Sequence, residues 1–332
     1  MLLWIEFTVC VLLILYSGTK LAKYGDVIAE KTGLGRTWVG VVIMASVTSL
    51  PELATGISSV TFADVPDIAV GDILGSCVFN LLILALLDIA HRDEPIKTRA
   101  HHGHLLAAGF SILLLAMVGT WISVRKPLLT FGWLGLYSLV FIVIYFVAMK
   151  MVYSYEKRQL AKFIGGIAEE LKYETIPAKK AVSIYSINAL VVIAAAVSLP
   201  GIGADLATST GLGQTFIGTI FIAVSTSLPE VVVSIAAVKM GAIDMAIGNL
   251  LGSNLFNILI LAVDDFFFVK GPILYHVQSC HAISALSAIA MTGLVCIGIT
   301  YRAEKKLLLL PWDSIGIILL FITNLMLLYM LR

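Results

Sequence analysis

The pentapeptide TSLPE occurs at 48–52 and again at 226–230, each time inside a run of apolar residues. Proline lacks an N–H and its ring clashes with the carbonyl four residues back, so each copy interrupts the helix around it. Pro51 frees the carbonyl of Val47, and Pro229 that of Ser225. Beside each break stands a glutamate, a residue that is rare and costly in apolar surroundings. A chain that makes this unfavourable choice twice must satisfy both features somewhere in its fold.

The duplication reaches well beyond the pentapeptide. GDVIAEKTGLGRTWVG (25–40) aligns with GADLATSTGLGQTFIG (203–218) at an offset of 178 residues, and GDILGSCVFN (71–80) with GNLLGSNLFN (248–257) at 177. Apolar stretches recur at 2–22, 37–60, 68–89, 105–124, 128–150, 182–203, 215–239, 243–263, 280–300 and 309–331. Each spans about 20 residues, enough to cross hydrocarbon as a helix. Charged residues make up 13% of the chain, against roughly 25% in soluble domains. These features predict an all-α polytopic membrane protein of ten transmembrane helices, with broken helices at its core. A first five-helix repeat occupies 1–150, a short connector 151–181 and a second repeat 182–332.

Five is odd, so the second repeat enters the membrane in the sense opposite to the first. With the amino terminus outside, the inner segments hold 18 of the 22 Lys and Arg, as the positive-inside rule requires. The expected topology has both termini outside and the connector cytoplasmic. MLLWIEFTVCVLLILYSG has no basic n-region and reads as a retained helix. Inverted repeats of this kind characterise secondary transporters, whose binding sites lie near the midplane between the halves. Neither GxxxxGK[ST] nor HExxH occurs, which removes the simplest nucleotide-driven and metalloprotease readings. The chain is therefore read as a non-enzyme without a cofactor. Its expected partners are inorganic cations and the lipid bilayer, not nucleic acid. Cys10, Cys77, Cys280 and Cys296 have no CxxC spacing and read as small buried hydrophobes. HHGH (101–104) reads as a solvated turn.

Around the breaks, Thr48, Ser49 and Glu52 mirror Thr226, Ser227 and Glu230, and every one of these groups offers oxygen. All-oxygen ligation selects hard cations. Asp72, Ser76 and Asn80 share one helix face by their spacing of four, with Asp88 further along it. Asn249, Ser253, Asn257 and Asp265 repeat the pattern. Asp72, Asp88, Asn249 and Asp265 are candidates for an ion pathway. Gly71, Gly75, Gly248 and Gly252 keep these helices slim for close packing. Asp264, Asp265 and the following FFF are read as marking the outer membrane surface.

TSLPE in both halves, followed by GxxxGSxxxN, resembles the sodium/calcium exchanger branch of the cation/Ca²⁺ antiporter superfamily, prokaryotic type. The resemblance implies Ca²⁺ exchanged for Na⁺ by alternating access, in an antiporter of the prokaryotic inner (plasma) membrane. It also implies ligands from the carbonyls of Ala45 and Ala223 and the side chains of Thr48, Ser49, Glu52, Ser76 and Asn80. Thr226, Ser227, Glu230, Ser253 and Asn257 complete that set. Some family members carry aspartate where Asn257 stands, and the family commonly writes Asn where this chain has Asp72. A proton-coupled exchanger of Ca²⁺ or another divalent ion remains the alternative, with a cation channel behind it.

Overall fold

The computed structural model describes residues 2–91, 94–124, 130–163, 173, 175–209, 226–302, 306 and 310–331. Among these, the long helices are α1 (Leu2–Thr32), α2 (Arg36–Ala63), α3 (Pro66–Ala90), α4 (His104–Val124) and α5 (Leu136–Phe163). The second set is α6 (Ala178–Ser209), α7 (Leu228–Lys239), α8 (Ile243–Phe267), α9 (His281–Tyr301) and α10 (Trp312–Met330). Nine of these are long and apolar enough to cross a membrane. The tenth, α7, begins three residues after the segment 210–225, which lies outside the described set.

Equivalent helices of the two repeats meet each other: α1 packs along α6, α3 along α8 and α4 along α9. That pairing is what a pseudo-two-fold axis between inverted halves produces. Helices α3 and α8 form the centre, with 72% and 83% of their apolar windows buried, against 17% for α1. The outer helices keep Leu, Val and Phe side chains on their free faces, the pattern of a chain solvated by lipid.

The α2 helix departs from regularity where its sequence requires it. Regular α-helix at Ala45–Thr48 and Leu50–Ser58 is separated at Ser49, whose φ/ψ of −91°/9° lies outside the helical well. Ser227 adopts nearly the same geometry, −85°/4°, at the start of α7. Both prolines then occupy the first turn of the following helix, where a missing N–H costs least. Wider π-helical turns at Val39–Met44 and Ser59–Ala63 flank the α2 break, a distortion common beside functional sites.

The glycine prediction holds where both partners are described. A Cβ on Gly252 would stand 2.3 Å from the carbonyl oxygen of Val41, and one on Gly248 2.9 Å from that of Thr37. Backbone of α8 thus touches backbone of α2. Among the described residues nothing lies within 4 Å of the equivalent point on Gly75, and the repeat counterpart of Val41, residue 219, lies outside the described set.

Three expectations are corrected at the helix ends. The fifth helix begins at Leu136 rather than 128, because Thr130–Phe131 and Leu134–Gly135 pair as a small hairpin around Gly132 at φ 63°. The HHGH turn is not solvated throughout: His104 is fully buried and its Nε2 lies 2.9 Å from Asp244 Oδ1, which also accepts from the His101 backbone N–H. Burial holds the His101 imidazole below its usual pKa. Of the four cysteines, only Cys77 is fully buried; Cys10, Cys280 and Cys296 are partly exposed.

Candidate functional site

The two broken helices deliver Glu52 and Glu230 into the centre of the bundle, both at most 1% exposed. Each carboxylate is held on one oxygen by a pair of serine hydroxyls drawn from both repeats. Glu52 Oε1 accepts from Ser76 (3.3 Å) and lies 3.3 Å from Ser227 Oγ. Glu230 Oε1 accepts from Ser49 (3.0 Å) and lies 3.3 Å from Ser253 Oγ. These are the same contacts with the repeats exchanged. The two carboxylates lie within Coulombic reach of one another.

Amides of α3 and α8 stand beside the glutamate layer. Asn80 Nδ2 donates to Asn254 Oδ1 (3.1 Å), and Asn254 Nδ2 donates to the carbonyl of Cys77 (3.2 Å). Asn257 Nδ2 approaches Cys77 Sγ at 3.9 Å. Each of these three amide nitrogens thus has a partner among the described residues, and the oxygens of Asn80 and Asn257 do not. Among the described residues, Oε2 of Glu52, Oε2 of Glu230, Oδ1 of Asn80 and Oδ1 of Asn257 have no hydrogen-bond partner. These four atoms form two symmetry-equivalent pairs, all buried. Unsatisfied buried acceptors are uncommon and costly in native proteins, which makes these two pairs candidate cation ligands.

Thr48 and Thr226 lie on the flanks. Thr48 Oγ1 donates toward Asn249 Oδ1 (3.3 Å), and Thr226 Oγ1 donates to Asp72 Oδ1 (3.2 Å), so the two threonines repeat one contact on equivalent residues. The Ala45 carbonyl accepts from the Ser49 N–H at 3.1 Å and is approached by the Thr48 hydroxyl at 3.4 Å. Ala223 lies outside the described residues. No three carboxylates, imidazoles or thiols converge among the described residues. Any ion held here would therefore be ligated by hydroxyls, amides and carbonyls around the two glutamates.

Asp88 and Asp265 are placed differently from the expectation of an ion pathway. Asp265 accepts from the Gly135 and Ile273 N–H groups, the Tyr137 hydroxyl and the Ser138 hydroxyl, two donors on each oxygen. Asp88 accepts from the Ile96 N–H, Lys97 and Ser314. Both carboxylates anchor loops to helix ends and have little capacity left for a passing ion. Lys97 is itself buried, between Asp88 (3.2 Å) and Asp313 (2.7 Å). At the same end, Tyr173 donates to Asp26, and burial together with that carboxylate pushes its hydroxyl up to about 12.

Sequence reasoning missed Asn254 and Cys77, which occupy equivalent positions in GSN and GSC but bear different side chains. It also missed Ser234, whose hydroxyl accepts from Asn249 Nδ2 at 3.1 Å. Only the repeat offsets could have pointed to them.

The profile of the family described as sodium/calcium exchanger protein matches residues 2–154 and 180–330. The chain is 27% identical over 257 residues to inner membrane protein YrbG of Escherichia coli, covering 75% of each. It is 48% identical to the sodium/calcium exchanger MaX1 of Methanosarcina acetivorans over a shorter stretch of 59 residues, 18% of this chain and 17% of that one. Its fold matches a solved sodium–calcium exchanger, NCX_Mj, with a TM-score of 0.74 at 20% identity, covering 98% of both chains.

Proposed function

The chain belongs to the sodium/calcium exchanger family, and from that premise we propose that it exchanges Ca²⁺ for Na⁺ across a prokaryotic inner membrane by alternating access. The observation that carries this reading is the set of four buried acceptor oxygens, from Glu52, Glu230, Asn80 and Asn257, that have no donor among the described residues. Ca²⁺ takes about 6–8 oxygen ligands. The four orphaned atoms, with Ser49, Ser76, Thr48 and the Ala45 carbonyl from one repeat and Ser227, Ser253, Thr226 and the Ala223 carbonyl from the other, supply that chemistry.

Two carboxylates balance one Ca²⁺ or two Na⁺ bound in overlapping positions, and a third Na⁺ would overcharge the centre. An unfilled site leaves two buried charges uncompensated, at an effective cost of several kcal/mol per ion. That cost opposes switching without cargo and so enforces exchange over leak. The inverted repeats, 1–150 and 182–332 about the 151–181 connector, permit two mirror-related states that open the same site to either face. Both termini lie outside in this reading, and the connector is cytoplasmic.

The test is ⁴⁵Ca²⁺ uptake into liposomes containing the purified protein. An outward Na⁺ gradient drives uptake in this account, and an imposed pH gradient without Na⁺ does not. Uptake that follows the pH gradient alone would make H⁺ the coupling ion. Ca²⁺ flux without any counter-cation would refute exchange.

A further inference from the structure

The two ends of the central site are not built alike. At one end, Thr48, Asn249 and Ser234 form a neutral hydrogen-bonded chain (3.3 and 3.1 Å). The repeat offsets place Asp72 where Asn249 would be and Gly56 where Ser234 would be. Substituting the amide by a carboxylate and the hydroxyl by hydrogen opens the equivalent chain at the other end. Into the opening points Asp264, whose repeat equivalent is Leu87. A Cβ on Gly56 would stand 2.6 Å from its Oδ1 and nearer still to its Oδ2, so the missing side chain is what admits the carboxylate.

Asp264 is fully buried, and among the described residues neither of its oxygens has a hydrogen-bond partner. Its neighbour Asp265 takes four donors, so this part of the fold can satisfy a carboxylate and leaves Asp264 unsatisfied. Asp72 Oδ2 is likewise without a donor, and the two carboxylates lie within Coulombic reach. Their placement follows the helices. Gly56 is one turn beyond Glu52 on α2, and Asp72 is one turn before Ser76 on the antiparallel α3. Both steps lead from the central pair toward the end of the bundle that carries Asp67 and Lys270, each by about 5.4 Å.

We propose that Asp264 holds a second cation station for Ca²⁺, with Asp72 as the step between it and the central glutamates. The station deepens the function proposed above, because its use in transport rests on that reading, whereas its occupancy does not. A partly dehydrated divalent ion gives Asp264 the counter-charge that protein donors withhold. One end of the pathway is thus acidic and the other neutral, which makes the two faces of the transporter unequal in their capture of Ca²⁺.

The experiment is ⁴⁵Ca²⁺ equilibrium dialysis of the purified full-length protein at pH 8. Removing the central pair with Glu52→Gln and Glu230→Gln isolates the station, and one Ca²⁺ per chain should remain bound. Adding Asp264→Asn should weaken that residual binding at least tenfold. Gly56→Ala, which fills the gap while keeping the charge, should weaken it in the same direction. Size-exclusion profiles matching the wild type establish that each variant is folded. No residual binding in the double variant, or residual binding indifferent to both Asp264→Asn and Gly56→Ala, overturns the station while leaving the central site standing. A wild-type protein that binds no Ca²⁺ at all removes both.

Discussion

Replacing Glu52 by glutamine removes one charge from the central site and little else. The variant amide keeps an Oε1 able to accept from Ser76 and Ser227, the two hydroxyls that hold the glutamate at 3.3 Å. Only the free Oε2 changes from anionic acceptor to amide donor. Losing one partner of a buried charge interaction costs about 2–5 kcal/mol, or about 30- to 4,000-fold in Kd at about 1.4 kcal/mol per decade. Thermal stabilisation by Ca²⁺ reports this directly. At a free Ca²⁺ concentration of about 100 times the wild-type Kd, the wild type gains about 2.7 kcal/mol, and a variant weakened thirtyfold gains about 0.9 kcal/mol. The assay is Ca²⁺-dependent melting in detergent, run in parallel on Glu230→Gln. Because Glu230 has the same two-serine environment (3.0 and 3.3 Å), the two variants should lose affinity to a similar degree. A change below threefold in either would refute the reasoning.

Gly252→Ala places a Cβ against the Val41 carbonyl, so it should cost about 1–3 kcal/mol by overpacking and lower Tm. Lys97→Met strips the buried cation from Asp88 and Asp313; the loss should be about 3–5 kcal/mol, read as a lower Tm, with part recovered by adding Asp313→Asn. The His101 imidazole sits below its usual pKa through burial, despite Glu156 at 3.7 Å. The unfolded chain therefore binds this proton more readily, and stability should fall as pH drops through about 6.5. A Tm-versus-pH curve should flatten in that window in His101→Asn.

Much of the central site was legible because the repeat doubled every signal. Proline beside glutamate, hydroxyls within a turn and amides at spacing four recur at offsets of 178 and 177, and the structure brings the described members together. The glycines foretold the contact of α8 with α2 because only a missing side chain allows backbones to touch. Side chains whose role depends on the neighbour across the bundle were not legible. Asp264 and Asp265 are adjacent in sequence, yet one is saturated and the other has no donor, since the 130–135 hairpin reaches only Asp265. Lys97 counted as one more basic loop residue, and its burial depends on Ser314 and Asp313, more than 200 residues away. His104 was misread for the same reason, because its partner Asp244 belongs to the other repeat.

The central claim is that Glu52 and Glu230 jointly ligate one transported cation. Anomalous diffraction from crystals soaked in Ca²⁺ or Sr²⁺ tests it most directly. A strong peak is expected about 2.3–2.6 Å from a carboxylate oxygen of each residue, with Asn80 or Asn257 completing the shell. A cation peak away from both glutamates, with their carboxylates closed on each other or on protein donors, would contradict it.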